Sequence, residues 1–132
     1  MKKILFVCVE NAGRSQMAEA FANAYGYGKI TATSAGVTPG ERVNNTVVQA
    51  MWEKGLDISR NRPKLITEEM IHEADRVFTM GCSVAEVCPA VFIRDVVDSK
   101  LEDPKGQPIQ KVREIRDEVE RLVKALIQEL AS

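Results

Sequence analysis

Near the start of the chain lies an uninterrupted apolar run, Ile4-Leu5-Phe6-Val7, with no polar side chain to face water. A strand of this kind is typical of a parallel sheet that is covered by helices on both faces. Further short apolar runs alternate with helical patterns along the 132 residues. This alternation predicts an α/β fold, in which residues 1–132 form a single-domain three-layer αβα sandwich around a four-stranded parallel sheet.

The positions of the elements follow from the spacing of apolar residues and from residues that break or cap secondary structure. We expect four strands, at residues 3–9, 29–34, 76–80 and 91–94. We expect helices to begin at or directly after Ser15, Asn44 or Asn45, Thr67 and Ile109.

The first predicted strand runs directly into the sequence Cys8-Val9-Glu10-Asn11-Ala12-Gly13-Arg14-Ser15, which a helical pattern follows. Five residues between a cysteine and an arginine are enough for the chain to curl around one anion with its backbone N–H groups pointing inward. The first turn of the helix adds free N–H groups and its dipole, and Arg14 adds a planar fork of donors. The same field stabilises a thiolate, and the Ser15 hydroxyl is placed to donate to that sulfur.

This loop predicts a site for a tetrahedral oxyanion with a nucleophilic thiolate at its base. The predicted nucleophile is Cys8, and the predicted substrate-binding residues are Val9, Glu10, Asn11, Ala12, Gly13, Arg14 and Ser15. A single cysteine after a buried strand is more often a small core residue. The combination of strand, Cys-x5-Arg-Ser and helix favours catalysis instead.

Composition narrows the choice of partners. A net charge of −1 gives no basic stripe for nucleic acid, and the first apolar run ends at Glu10, too soon for a signal peptide or a membrane span. We therefore expect a cytoplasmic monomer that binds neither nucleic acid nor a membrane. Three cysteines in such a protein argue against a disulfide framework and toward chemistry. His72, the only histidine, is expected at the surface, and no cysteine or histidine spacing predicts a metal site.

Five segments stand in the order in which a known superfamily carries them. They are the loop from Cys8 to Ser15, Thr33-Ser34-Ala35-Gly36, Gly55-Leu56-Asp57-Ile58-Ser59, Ala74-Asp75-Arg76-Val77-Phe78-Thr79-Met80 and Glu102-Asp103-Pro104. Over nearly its whole length the chain resembles the low-molecular-weight protein tyrosine phosphatase superfamily. Within it, Cys82 and Cys88 resemble the added cysteines of the thioredoxin-coupled arsenate reductase branch.

The resemblance implies the low-molecular-weight phosphatase-like fold and several residue roles. Cys8 and Arg14 would act in the catalytic loop, and Asp103 would act as general acid from a distant loop. Asn11 matches a residue that holds the strained loop, and Ser34 matches a serine that supports it from the second strand. No bound cofactor is implied, only an external dithiol reductant, thioredoxin.

Two features depart from the superfamily pattern. Glu10 places a carboxylate in the oxyanion loop, where reductases of this branch often have glycine, and there it weakens anion binding unless it points to solvent. Arg62 and Lys64 stand where some relatives offer oxygen ligands to a potassium ion. We therefore expect no metal.

The expected reaction is the reduction of arsenate to arsenite. Cys8 attacks arsenic while Asp103 protonates the leaving oxygen, Cys82 then attacks Cys8, and Cys88 attacks Cys82 to form a disulfide for the reductant. Six residues of helix span about 9 Å, whereas a disulfide joins Cα atoms roughly 4.4–6.8 Å apart. The segment between the two cysteines must therefore loop or unwind when oxidised.

Three alternatives stay open. The two later cysteines can be incidental core residues. The chain can be a phosphatase that hydrolyses phosphate monoesters through a phosphocysteine, although Lys105-Gly106 follow Asp103-Pro104 where phosphotyrosine-specific relatives commonly carry tyrosines. It can also be a non-enzymatic domain that binds anions or senses oxidation, which would not require Asp103.

Overall fold

The computed structural model describes residues 2–80, 96–98 and 101–131 of the chain. Within these residues, four strands form one sheet: β1 Lys2–Cys8, β2 Ile30–Gly36, β3 Arg76–Thr79 and β4 Val96–Asp98. The strand order is β2-β1-β3-β4, and every neighbouring pair is parallel. The predicted four-stranded parallel sheet is therefore confirmed. The range 91–94, where we expected the fourth strand, lies outside the described residues.

The helices of the described chain are α1 Arg14–Tyr25, α2 Asn45–Trp52, α3 Glu68–Glu73 and α4 Ile109–Ala131. The Asn44 side chain accepts from the Thr46 N–H (3.2 Å) and caps α2. Thr67 Oγ1 accepts from the Met70 N–H (3.1 Å) and caps α3, as predicted. Each such cap stabilises its helix by about 1 kcal/mol.

The predicted capping role of Ser15 is wrong. The N-cap is Gly13, two residues earlier, so the helix begins at Arg14, and no side chain caps it. Ser15 lies inside the first turn and is fully buried, and its hydroxyl contacts the Cys8 sulfur instead of a backbone N–H of α1. The free N–H groups of this helix start are thus left facing the loop before it.

The central strand β1 is buried on both faces, which explains its uninterrupted apolar sequence. Ile4, Phe6 and Cys8 face a cluster formed with α1, α2 and α4. Leu5 and Val7 face a smaller cluster that includes residues of α3 and β3. Helices therefore cover both faces of the sheet, and the three-layer sandwich is confirmed.

Phe6 is fully buried, so its truncation to alanine should cost about 3–5 kcal/mol of stability.

None of the helices in the described part of the chain combines the length and the apolar character needed to span a bilayer.

Candidate active site

The loop between β1 and α1 lies at the carboxyl edge of the parallel sheet, where ligands bind in folds of this type. Strand β1 ends at Cys8, which pairs with Gly36 of β2. Cys8 is 3% exposed, so its sulfur is buried at the base of the loop. The sheet thus fixes the backbone of the predicted nucleophile.

The loop carbonyls from Cys8 to Gly13 all accept hydrogen bonds. The bonds are Val37 N to Cys8 O (3.3 Å), Thr38 N to Val9 O (2.8 Å), Gly40 N to Glu10 O (2.9 Å), Gln16 Nε2 to Asn11 O (3.2 Å), Asn44 N to Ala12 O (2.9 Å) and Met17 N to Gly13 O (3.0 Å). Four of the six donors belong to the segment 37–44, which wraps the outside of the loop.

The carbonyls that bond the segment 37–44 point away from the inside of the loop, and they determine where the loop N–H groups after them point. In a trans peptide the C=O of one residue and the N–H of the next are antiparallel. Carbonyls that point outward therefore turn the following N–H groups toward the inside of the curve, as in an anion-binding nest. The Asn11 N–H follows this rule and donates to Cys8 Sγ at 3.2 Å. The Asn11 N–H is thus one loop donor that points inward, toward the predicted nucleophile.

Asn11 is the loop residue with a left-handed backbone. Its φ of 54° is left-handed, a conformation that asparagine tolerates better than most residues. Its Oδ1 accepts from the Lys64 N–H (2.9 Å) and from Gln16 Nε2 (3.1 Å), and its Nδ2 donates to Ser15 Oγ (2.7 Å). These three bonds fix the orientation of its buried side chain.

Ser15 is placed to stabilise negative charge on the sulfur. Its Oγ lies 2.8 Å from Cys8 Sγ. Because that oxygen already accepts from Asn11 Nδ2, its own hydrogen is free to point at the sulfur. Two donors, the Ser15 hydroxyl and the Asn11 N–H, therefore converge on Cys8.

Two glycines permit close approaches at this site. A Cβ on Gly36 would lie 2.6 Å from Val9 O and 2.9 Å from Asn11 N, so any side chain there would push the loop away. A Cβ on Gly13 would lie 2.9 Å from Pro104 Cγ. The absence of a side chain at Gly13 therefore lets Pro104, next to the predicted general acid, pack closely against the oxyanion loop.

The segment after β4 brings Asp103 to the site. Arg14 Nη1 donates to Leu101 O (2.8 Å), and its Nη2 lies 4.0 Å from Asp103 Oδ2. The Asp103 side chain is 59% exposed, and its Oδ1 accepts from the Lys105 N–H (3.0 Å). The structure therefore brings Cys8, Arg14 and Asp103 around one cavity.

This cavity has a volume of about 320 Å3. Its lining comes from the oxyanion loop, from residues 40–44 and from residues 103–105: Cys8, Val9, Glu10, Ala12, Gly13, Arg14, Gly40, Glu41, Arg42, Asn44, Asp103, Pro104 and Lys105. None of these described lining residues is aromatic.

Glu10, the unusual residue of the loop, forms an ion pair across the cavity mouth. Its Oε2 accepts from Lys105 Nζ at 2.9 Å. This hydrogen bond and the attraction of the Glu10 carboxylate raise the pKa of Lys105 above its ordinary value.

Ser34 contacts α1 and not the oxyanion loop. Its hydroxyl donates to Glu19 Oε1 (3.0 Å), so any support that it gives the loop passes through that helix. The Lys64 ammonium lies 3.7 Å from the same carboxylate oxygen. Among the described residues, no three histidine, cysteine or acidic side chains group closely enough to hold a metal ion. Cys82 and Cys88 lie outside the described residues.

The sequence reasoning missed several residues that shape the site. Gln16 bonds Asn11 twice and accepts from Asn61 Nδ2 (3.1 Å), which ties the loop to residues 58–64. The Leu101 carbonyl accepts a hydrogen bond from the Arg14 guanidinium. A glutamine on the buried side of a helical first turn was the available signal for Gln16, whereas a backbone carbonyl leaves no trace in a sequence.

The structure is thus an α/β fold with a buried cysteine at the base of a loop between its first strand and first helix. The chain belongs to the low molecular weight phosphotyrosine protein phosphatase family, whose sequence model matches residues 3–132. The family expected from the sequence is thereby confirmed.

Arsenate reductases are among the similar proteins. The chain is 38% identical over 133 residues to the glutaredoxin arsenate reductase of Synechocystis sp., with 99% of this chain and 100% of that protein covered. It resembles the structure of an arsenate reductase in the phosphate binding state (TM-score 0.88, 38% identity, 98% and 99% covered). It also resembles a thioredoxin-dependent arsenate reductase of Corynebacterium glutamicum (TM-score 0.82, 34% identity), covering 99% of this chain and 62% of that one.

Proposed function

We propose that this chain reduces arsenate to arsenite through Cys8 and a disulfide relay of three cysteines that thioredoxin regenerates. The observation that carries the proposal is the ring of outward carbonyls around a buried sulfur. Such a ring suits a small tetrahedral oxyanion held directly above a nucleophile. Similarity to arsenate reductases over nearly the whole chain supports the choice of arsenate.

In the first step, the Cys8 thiolate attacks arsenic and an As–O bond breaks. The departing oxygen takes a proton from Asp103, and the loop N–H groups and Arg14 stabilise the charge on the remaining oxygens. Arg14 is near both the anion site and the general acid, because it lines the cavity and its Nη2 lies 4.0 Å from Asp103 Oδ2. The product of this step is a covalent Cys8–arsenic(V) adduct.

The second step transfers two electrons to arsenic. The Cys82 thiolate attacks the Cys8 sulfur, an S–S bond forms, and the S–As bond breaks with its electron pair remaining on arsenic, which leaves as arsenite. Cys88 then attacks Cys82, which releases Cys8 as a thiolate and leaves a Cys82–Cys88 disulfide. A dithiol reductant reduces this disulfide and closes the cycle.

The electron donor is part of the proposal. Thioredoxin reduces an exposed protein disulfide by dithiol exchange, which matches a relay that ends in a disulfide. A similar protein from Corynebacterium glutamicum is thioredoxin-dependent, whereas the similar protein from Synechocystis is a glutaredoxin arsenate reductase. The assay below therefore compares both donors.

Phosphate monoester hydrolysis is the second candidate function, and the family of the chain favours it. The same thiolate and the same general acid would form a phosphocysteine that water then hydrolyses. The described lining of the cavity offers no aromatic side chain to stack on a phosphotyrosine ring. We therefore rank hydrolysis of aryl phosphates below arsenate reduction.

The first test is arsenate-dependent NADPH oxidation with thioredoxin and thioredoxin reductase, beside an aryl phosphatase assay. Wild type should turn over arsenate, Cys8→Ser should abolish turnover, and Arg14→Ala should lower kcat by about 10²–10³ or more because an oxyanion donor is lost. Glutaredoxin with glutathione replaces thioredoxin in a parallel assay. Efficient aryl phosphate hydrolysis without arsenate reduction would reverse the ranking.

The second test isolates the relay. Cys88→Ser should permit one turnover of arsenate and then stop, with Cys8 joined to Cys82, because no thiol remains to resolve that bond. Quenched-flow arsenite measurement and peptide mapping of the trapped disulfide report the two predictions separately. Sustained multiple turnover by this variant with thioredoxin would contradict a three-cysteine relay.

A further inference from the structure

Glu10 introduces a like charge next to the anion that the loop binds. Its backbone forms part of the ring, and its carboxylate lines the same cavity as Cys8 and Arg14. A negative side chain at this position lowers the affinity for an oxyanion unless a positive group compensates it.

Lys105 is positioned to supply that compensation. Its Nζ lies 2.9 Å from Glu10 Oε2, although the two residues are 95 positions apart in sequence. Lys105 follows Asp103-Pro104 directly, and its N–H donates to Asp103 Oδ1 (3.0 Å). One side chain therefore connects the oxyanion loop to the loop of the general acid.

The exposure of the pair limits what it can do for folding. The side chains of Lys105 and Glu10 are 67% and 36% exposed, and exposed ion pairs contribute little to stability. Both residues nevertheless line the cavity, where a change of one charge acts directly on a bound anion. The geometry thus favours an effect on ligand binding over an effect on the fold.

We propose that Lys105 neutralises Glu10 and thereby raises the affinity of the loop for an oxyanion. Lys105 acts through Glu10, so it is a positioning residue and not a catalytic one. The inference rests on the oxyanion site of the proposed function, but it does not require that arsenate be reduced.

The test is a double-mutant cycle with inorganic phosphate as the probe. The Kd of phosphate is measured by its protection of Cys8 from alkylation in wild type, Lys105→Met, Glu10→Gln and the double variant. Lys105→Met should raise this Kd by about three- to tenfold at low salt, because the Glu10 charge is then uncompensated. Glu10→Gln should lower the Kd, and the double variant should return close to wild type.

Two further measurements separate charge compensation from a structural role. The effect of Lys105→Met should shrink as ionic strength rises, since the pair is exposed and screened by salt. Lys111→Met is the matched control, because Lys111 pairs with Glu102 at 2.8 Å and neither residue lines the cavity. This control should leave the Kd unchanged.

The proposal fails if Lys105→Met leaves the Kd of phosphate unchanged. It also fails if Lys105→Met raises this Kd equally with glutamate and with glutamine at position 10. The second result would mean that Lys105 contacts the anion itself. Failure of the arsenate assay with normal phosphate protection would overturn the proposed function and leave this inference standing.

Discussion

Gln16 is one of the residues that anchor the anion loop to the rest of the molecule. It is fully buried, its Nε2 donates to Asn11 O and Oδ1, and its Oε1 accepts from Asn61 Nδ2. The hydrogen bonds of Asn11 and Ser15 continue this chain to Cys8. Gln16 thus influences the shape of the anion loop and the surroundings of the Cys8 sulfur without a hydrogen bond to that sulfur.

Replacing Gln16 by leucine should therefore lower catalytic activity even in the fraction of the protein that remains folded. The variant removes the Nε2 donor that bonds Asn11 O and Oδ1, whereas the bond from the Lys64 N–H remains. The buried polar groups that lose their partner should cost about 1–3 kcal/mol of stability. We expect lower kcat/KM and slower Cys8 alkylation at fixed pH, both measured where the variant is still folded. Asn61→Ala, which removes one bond, should give a smaller loss in both measurements.

Gln49→Leu provides the control, since this residue is exposed on α2. An unchanged alkylation rate in folded Gln16→Leu would show that the loop holds its shape without this anchor.

At the scale of the elements, a group of charged side chains joins the end of α2 to α4. Glu53 accepts from Arg113 Nη2 and from Arg116 Nη1, both at 2.7 Å. Arg116 is buried and also donates to Ala50 O (3.0 Å). The hydrogen bond from Arg113, helped by Arg116, lowers the pKa of Glu53 from about 4.5 to about 2.

This shift predicts how the stability of the helix pair depends on pH. The pKa of Glu53 is lower in the folded state than in the unfolded state, so its contribution is complete above about pH 5 and is lost as pH falls toward 2. The difference in unfolding free energy between wild type and Glu53→Gln should therefore be constant at neutral pH and shrink in acid. Chemical denaturation between pH 3 and pH 7 measures it, with the exposed Glu118→Gln as control. A difference that grows in acid would contradict the assignment.

The elements also show where sequence patterns stop being informative. The end of β2 was predicted at residue 34 because alanine and glycine disfavour strands, yet the strand continues to Gly36. There the tertiary pairing of Gly36 with Cys8, and the lack of room for any Cβ, outweigh local preference. Periodicity alone carries no information about such a partner.

At the scale of the whole molecule, the alternation of apolar runs and helical patterns was sufficient to predict the layers and the parallel sheet. This prediction succeeded because a strand that is buried on both faces needs an uninterrupted apolar sequence. Contacts between distant segments were not predictable in this way. The pairing of Glu10 with Lys105 and the packing of Pro104 on Gly13 depend on how two loops meet in space.

The ladder that holds Cys8 beside Gly36 also limits how the protein can handle electrophiles. Because the backbone of Cys8 is held by this pairing and its side chain is buried, we expect reagents to reach the sulfur through the cavity that it lines. Small oxidants and small anions should therefore react with Cys8 faster than bulky alkylating reagents of the same chemistry.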